Sequence, residues 1–241
     1  MGRFSASGSI HWVSWGTGEY DVGAFLSNLE WILSKRLGGE FLRLFAGSNR
    51  PVKELSEALS IFRLVYEDEE TKRRNTIVVE VCSGKLAPVA TLVALFIKRG
   101  RGWAIDEVDM DPRIVELSKV LSGKLSLFPR VNVFSDEFRK LLEKARKECE
   151  YLVVVAIHSC RTLAVRILEV FKDVGGDRLL LVPCCAKPSW AKKVVGVEIR
   201  GYWDWVFALW SYATHILNLP ARVFIAKDML SEANAVIEVR R

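Results

Sequence analysis

The run Thr76-Ile-Val-Val-Glu-Val-Cys-Ser-Gly-Lys85 constrains this chain more than any other stretch: β-branched residues lead into an acid and then into a tight turn of small residues. That order is how the first parallel strand of a doubly wound sheet ends at its carboxyl edge, where such sheets bind nucleotide-like ligands. Further on, Trp103-Ala-Ile-Asp106, with Asp109 and Asp111-Pro112 just beyond, puts carboxylates where a second strand ends and its helix begins. A carboxylate at that place can take both hydroxyls of a ribose. The turn departs from a dinucleotide fingerprint, because Cys82, Gly84 and Leu86 stand where three glycines are expected. A ligand with a ribose and no diphosphate fits better.

The remainder of the chain repeats the same unit. Pro88 suits the first position of a helix, where its missing N–H costs nothing. A strand over 103–109 is followed by a helix capped by Asp111, with Ile114, Leu117 and Leu121 on one face. A strand over 131–134 precedes Ser135-Asp136 and a helix reaching Cys149. The continuous run Tyr151–Ile157 predicts a strand buried on both faces. A helix over 161–173 and a fifth strand over 177–182 follow. After a helix at 203–217, the strands 221–226 and 235–239 are joined by a loop too short for a parallel return, so they are antiparallel neighbours. The expected fold is therefore α/β: a doubly wound, mostly parallel seven-stranded sheet closed by an antiparallel C-terminal hairpin.

Residues 1–75 read as a helical extension packed on that sheet, with 76–241 as the domain proper. Leu26, Leu29, Ile32, Leu33 and Leu37 recur at helical spacing up to Gly38-Gly39, and Leu55, Leu59, Phe62, Val65 and Tyr66 mark a second helix after Pro51. These helices are expected over one face or over the ligand mouth.

At 241 residues and half hydrophobic, the chain can bury a sizeable core. The longest apolar run, Trp203 to Leu219, carries Asp204 and His215 and reads as a buried helix rather than a membrane span. Met1 to Gly18 lacks the apolar segment of a secretory leader, and five cysteines without a C-x-x-C pair suit a reducing compartment, so a cytoplasmic protein is expected. Glutamine is absent while Lys, Arg and Glu are plentiful, a bias of proteins from hot environments.

A resemblance now becomes specific. Glu80-Val-Cys-Ser-Gly-Lys85 is similar to the E/D-x-C-S-G-K/G turn of several RNA methyltransferase groups, and His158-Ser-Cys160 with Pro183-Cys-Cys185 is similar to the H-x-C-G … P-C-C signature of one subgroup. The whole resembles the class I S-adenosylmethionine-dependent methyltransferases, and within them the tRNA 2′-O-methyltransferases and related methyltransferase-like proteins. The resemblance covers roughly residues 76 to 190. It implies S-adenosylmethionine lying over Glu80, Cys82, Ser83 and Gly84, a ribose held by Asp106 or Asp109, and the adenine amino group reached by Asp136. His158, Cys160 and Cys184 fall on the substrate side. Leu86 and Arg161 replace glycines of the pattern, which leaves open a methyltransferase-fold module that binds or assembles RNA without catalysis.

Several chemistries remain open on these residues. His158 serves as proton acceptor for an oxygen target, or as pocket wall. Cys184 is a candidate nucleophile for cytosine carbon-5 methylation. No metal is expected, because paired ligand spacing is missing among the cysteines. The signature Asn/Asp-Pro-Pro-Tyr is absent after strand four, which disfavours exocyclic amines. A net charge of +6, with basic patches at 72–74, 98–101, 139–147 and 192–193, points to RNA, with tRNA the first candidate, as partner; protein or small-molecule methylation is the alternative. Trp12, Trp15, Trp190, Trp203 and Trp205 are candidates for stacking on bases.

Overall fold

The computed structural model describes residues 10–11 and 20–241. Trp12 and Trp15, candidates for base stacking, lie outside the described residues. In chain order the elements are β1 (Ile10–His11), α1 (Val22–Leu33), α2 (Gly38–Arg43), α3 (Pro51–Tyr66), α4 (Glu69–Arg73), β2 (Thr76–Val81), α5 (Pro88–Phe96), β3 (Gly100–Ile105), α6 (Pro112–Val120) and β4 (Leu125–Phe128). There follow α7 (Asp136–Glu148), β5 (Tyr151–Ile157), α8 (Thr162–Val174), β6 (Arg178–Val182), β7 (Cys185–Ala186), α9 (Pro188–Val195), α10 (Tyr202–Ser211), β8 (Ala221–Ile225) and β9 (Ala235–Arg240).

Seven strands form one sheet in the order β4-β3-β2-β5-β6-β9-β8. The first five are parallel, and β9 inserts antiparallel between β6 and β8. The doubly wound sheet with its antiparallel C-terminal edge is the architecture that the alternation of elements predicts. Winding reverses between β2 and β5, so their carboxyl ends border the crevice where such sheets take ligands.

Strand residues alternate between two cores. Ile77, Val79, Val81, Leu152, Val154 and Ala156 face α7, α8 and α10, whereas Val78, Val153, Val155 and Leu180 face α1, α2, α3 and α5. The N-terminal helices thus share a core with the sheet. Gly102 of β3 permits the close approach of α5: a Cβ there would stand 1.9 Å from the carbonyl oxygen of Ala90.

Some local expectations need correction. The third strand is Leu125–Phe128 and not 131–134; Val131 and Val133 are buried in a loop, so their alternation reported burial rather than strand. The helix expected to run to Gly38-Gly39 stops at Leu33, and α2 begins at Gly38; Leu26 and Leu33 are exposed while Phe25 and Ile32 face the core. The second strand spans Gly100–Ile105, so Asp106 follows it directly.

Arg178 of β6 is buried to 2% exposure and makes ion pairs with Asp68 at 3.0 Å and Glu238 at 2.7 Å. It also donates to the Leu64 carbonyl, and Tyr151 donates to Asp68 at 3.0 Å. This network ties the end of the N-terminal helices to the far half of the sheet. Removing one member of a buried charge network leaves its partners uncompensated, so Arg178→Met should cost about 3 kcal/mol or more in urea unfolding. Arg130→Ala, which breaks only an exposed pair with Asp109, should leave the urea midpoint unchanged within error.

Candidate active site

The turn after β2 is built on unusual backbone. Cys82 has φ +56°, Gly84 +64° and Ala87 +43°. Ala87 precedes α5 without a capping side chain, and the buried carboxylate of Glu80 takes its place, accepting from the Ala90 N–H at 2.8 Å. Burial pushes Glu80 up to about 8, although the backbone N–H groups of Ala90 and Val89 oppose the rise. From the neighbouring strand, Asp106 accepts from the Gly84 N–H at 2.7 Å and from the Val108 N–H at 3.0 Å. The turn is therefore clamped by carboxylates from two strands.

Over this turn opens a cavity of about 720 Å³. Its floor is Glu80, Cys82, Ser83, Gly84 and Leu86; its far wall is Ile157 and His158 at the end of β5; its roof is the α2–α3 loop and the first turns of α3. Where a Cβ would stand on Gly84, no atom lies within 4 Å.

His158, at φ +59°, places Nε2 2.8 Å from Glu57 Oε2 and 3.0 Å from Lys53 Nζ. Lys53 Nζ also lies 2.7 Å from Glu57 Oε1. Burial by itself would raise the Glu57 carboxyl, but the His158 hydrogen bond and the charges of His158 and Lys53 hold it below its usual range. One ring nitrogen cannot donate to the carboxylate and accept from the ammonium together. We assign Nε2–H as donor to Glu57, with Lys53 paired to the other carboxylate oxygen.

The structure distributes the remaining sequence candidates as follows. Neither Asp106 nor Asp109 lines the cavity: Asp106 reaches its edge through the Gly84 N–H, whereas Asp109 is exposed and held by Arg130 at 2.8 Å. Asp136 is exposed at the first position of α7, also outside that lining. Cys160 and Cys184 bring their sulfurs to 2.8 Å, with Cys185 beside them, just past His158. Contacts with both neighbouring thiols, together with burial, push the Cys184 thiol far up. Trp205 is fully buried and stacks edgewise on half-buried Trp190; Trp203 is exposed. Lys53 and Glu57 were missed in the sequence. Their i, i+4 spacing on α3 reads as an ordinary surface ion pair, and the only sign of burial is the apolar residues around Glu57.

A carboxyl-edge crevice with a glycine turn and a clamped acid defines a nucleotide-cofactor α/β domain. Residues 50–188, more than half of the chain, match the model of a family described as a methyltransferase domain, and the chain belongs to that family. Its methyl donor is S-adenosylmethionine. No curated protein matches the chain. Similar solved structures include a SAM-dependent methyltransferase from Aquifex aeolicus, at 11% identity over 92% of this chain and 97% of that one with a TM-score of 0.41. Another is a fibrillarin/Nop5p complex, at 8% identity over 77% and 80% with a TM-score of 0.46. A point mutant of MtNAS in complex with S-adenosylmethionine shows 13% identity over 91% and 72% with a TM-score of 0.41. The family assignment rests on the sequence match.

The residues present fit the cofactor. The space at Gly84 admits a close backbone approach, the cavity has the size of a small-molecule site, and the Asp106 oxygens, each bonded once, keep lone pairs for ribose hydroxyls. Asp106→Ala should therefore weaken S-adenosylmethionine binding by about 2 kcal/mol in calorimetry, with Asp109→Ala close to unchanged.

Glu80 also makes stability depend on pH. Its carboxyl is raised from 4.5 to about 8 on folding, so its contribution is fully present below about pH 4.5 and is lost as pH rises through 8. Across that window the unliganded protein should lose at least about 1 kcal/mol that Glu80→Gln does not lose, measured by urea unfolding at each pH.

Proposed function

We propose that the protein transfers a methyl group from S-adenosylmethionine to a hydroxyl oxygen, and that the hydroxyl is a ribose 2′-OH of an RNA, with tRNA the first candidate. The observation that carries this reading is the His158–Glu57 pair in the wall of the cavity that Gly84 also lines. When bound, the cofactor supplies an electrophilic methyl on a sulfonium. In-line transfer then depends on holding the nucleophile in place and on removing its proton.

This chain has residues for both tasks. Glu57 fixes the His158 ring by accepting from Nε2–H, which leaves the Nδ1 lone pair to accept a proton from a hydroxyl. Glu57 is a positioning residue; His158 is the proposed base. Lys53 offsets the charge of the buried carboxylate. Asp106 and the Gly84 backbone would hold the cofactor's ribose and methionine ends. Cys184, its thiol pushed far up, is a poor nucleophile at neutral pH, which disfavours carbon-5 chemistry on cytosine.

Arg50 and Lys85 line the cavity and suit a phosphate-bearing substrate, whereas Lys53 and Arg113, which also line it, are paired with Glu57 and Asp111. A small-molecule hydroxyl is the second reading. It is favoured by the ion pairing of the outer basic patches: Lys72 with Glu69 at 2.8 Å, Arg101 with Glu148 at 3.1 Å and Arg139 with Asp173 at 2.7 Å.

His158→Ala should lower turnover about 100-fold or more while cofactor affinity stays near that of the wild type, and Glu57→Gln should lower turnover less. Cys184→Ser should stay active, and 5-fluorocytosine RNA should give no covalent adduct. Product nucleosides are read by mass spectrometry. Full activity of His158→Ala, or a trapped adduct, would contradict the mechanism; methylation of small hydroxyl compounds without any of RNA would shift the substrate class.

A further inference from the structure

Three cysteines converge behind His158 in a way that the proposed methyl transfer does not use. Cys160 follows β5, and Cys184 and Cys185 stand at the turn from β6 into β7. Their sulfurs all lie within 4.8 Å of one another, Cys160 to Cys184 at 2.8 Å and Cys184 to Cys185 at 3.5 Å. Neighbouring residues of an extended chain point to opposite faces. Here two adjacent cysteines turn their sulfurs to the same point.

We propose that Cys160, Cys184 and Cys185 bind a thiophilic metal ion, zinc(II), between the β5–α8 and β6–β7 segments. Three sulfur donors with no oxygen or nitrogen among them select soft ions. Thiolates at about 2.3 Å from tetrahedral zinc stand about 3.8 Å apart. The separations of 2.8 and 3.5 Å are both shorter than that, so rotations about the Cα–Cβ bonds that spread the sulfurs apart would enclose one ion.

The backbone holds the donors ready. The Arg161 N–H donates to the Cys185 carbonyl at 2.9 Å, fastening the two segments beside the sulfurs. His158 and Arg161, at φ +59° and +56°, flank Cys160 in left-handed conformations that β-carbon-bearing residues rarely adopt. Such strain persists where its surroundings over-determine it and concentrates at ligand sites. Cys185 is buried, while Cys160 and Cys184 are half-buried, which leaves the ion a path from solvent. Three protein ligands leave the fourth tetrahedral position for water or an added ligand.

Binding exchanges thiol protons for the metal, so affinity should rise with pH. The ion would tie the β5–α8 and β6–β7 segments together and takes no part in a step of the reaction.

The test uses the full-length reduced protein, incubated anaerobically with zinc(II) alone, dialysed, and assayed for metal per chain by plasma mass spectrometry. One zinc per chain is expected for the wild type and for Cys149→Ser, and less than about a tenth for Cys184→Ser with its circular dichroism unchanged. Cobalt(II) in place of zinc should give an intense thiolate charge-transfer band in the wild type. Should Cys184→Ser not fold, that band in the wild type, and its loss in Cys160→Ser, decides. No retained zinc and no cobalt band in the wild type, zinc retained in full by a folded Cys184→Ser, or a Cys160–Cys184 disulfide in place of the metal would each overturn the proposal. None of these readouts depends on methyl transfer.

Discussion

The carboxylate of Glu80 is buried at the point where β2, the glycine turn and α5 meet, and the site is arranged around it. Helix α5 starts from Ala87 in a left-handed conformation with no side chain of its own to cap it. Glu80 accepts from Ala90 instead, and so fixes where the helix begins relative to the strand. A buried carboxylate is costly, and its hydrogen bonds to backbone N–H groups offset the cost only in part, as its raised pKa shows. With the helix anchored, Gly102 lets it lie directly against β3, and Asp106 at the end of β3 reaches across to the Gly84 N–H. The acid that would take the ribose hydroxyls is thus also the one that shapes the turn.

The second half of the site comes from outside the sheet. Helix α3 shares the core of β2 and β5 through Leu59, Phe62 and Val65, so its first turns project over the carboxyl edge. There Lys53 and Glu57 meet His158, more than a hundred residues away in sequence. The match to the methyltransferase family begins at residue 50, with α3 inside it. Helix α3 therefore does more than cover the sheet: it brings the carboxylate that orients the proposed base.

Much of the fold was legible because local patterns and topology agree. The β-branched run of β2, the continuous apolar run of β5 and the short link between β8 and β9 each admit few arrangements, and together they specify the sheet. The errors arose where apolar residues are buried without regular structure, as at Val131 and Val133, or stay exposed on a helix, as at Leu26 and Leu33. The candidate site was legible where strand ends dictate it: Glu80, Cys82, Ser83, Gly84 and His158 all line one cavity. The Lys53–Glu57–His158 cluster was not, since no periodicity shows which side chains of a distant helix will reach a strand end. The convergence of Cys160, Cys184 and Cys185 was legible from their places at the carboxyl ends of adjacent strands, although no paired ligand spacing marks it as a metal site.

The most direct measurement of the central claim is a crystal structure of the protein with S-adenosylhomocysteine, the demethylated product. The account predicts its methionine end over Ser83 and Gly84, its ribose hydroxyls on the Asp106 carboxylate, and its sulfur turned toward the cavity wall that carries His158 and Glu57. A cofactor seated away from this turn, held by Asp109 and Arg130, or with its sulfur turned away from His158, would contradict it.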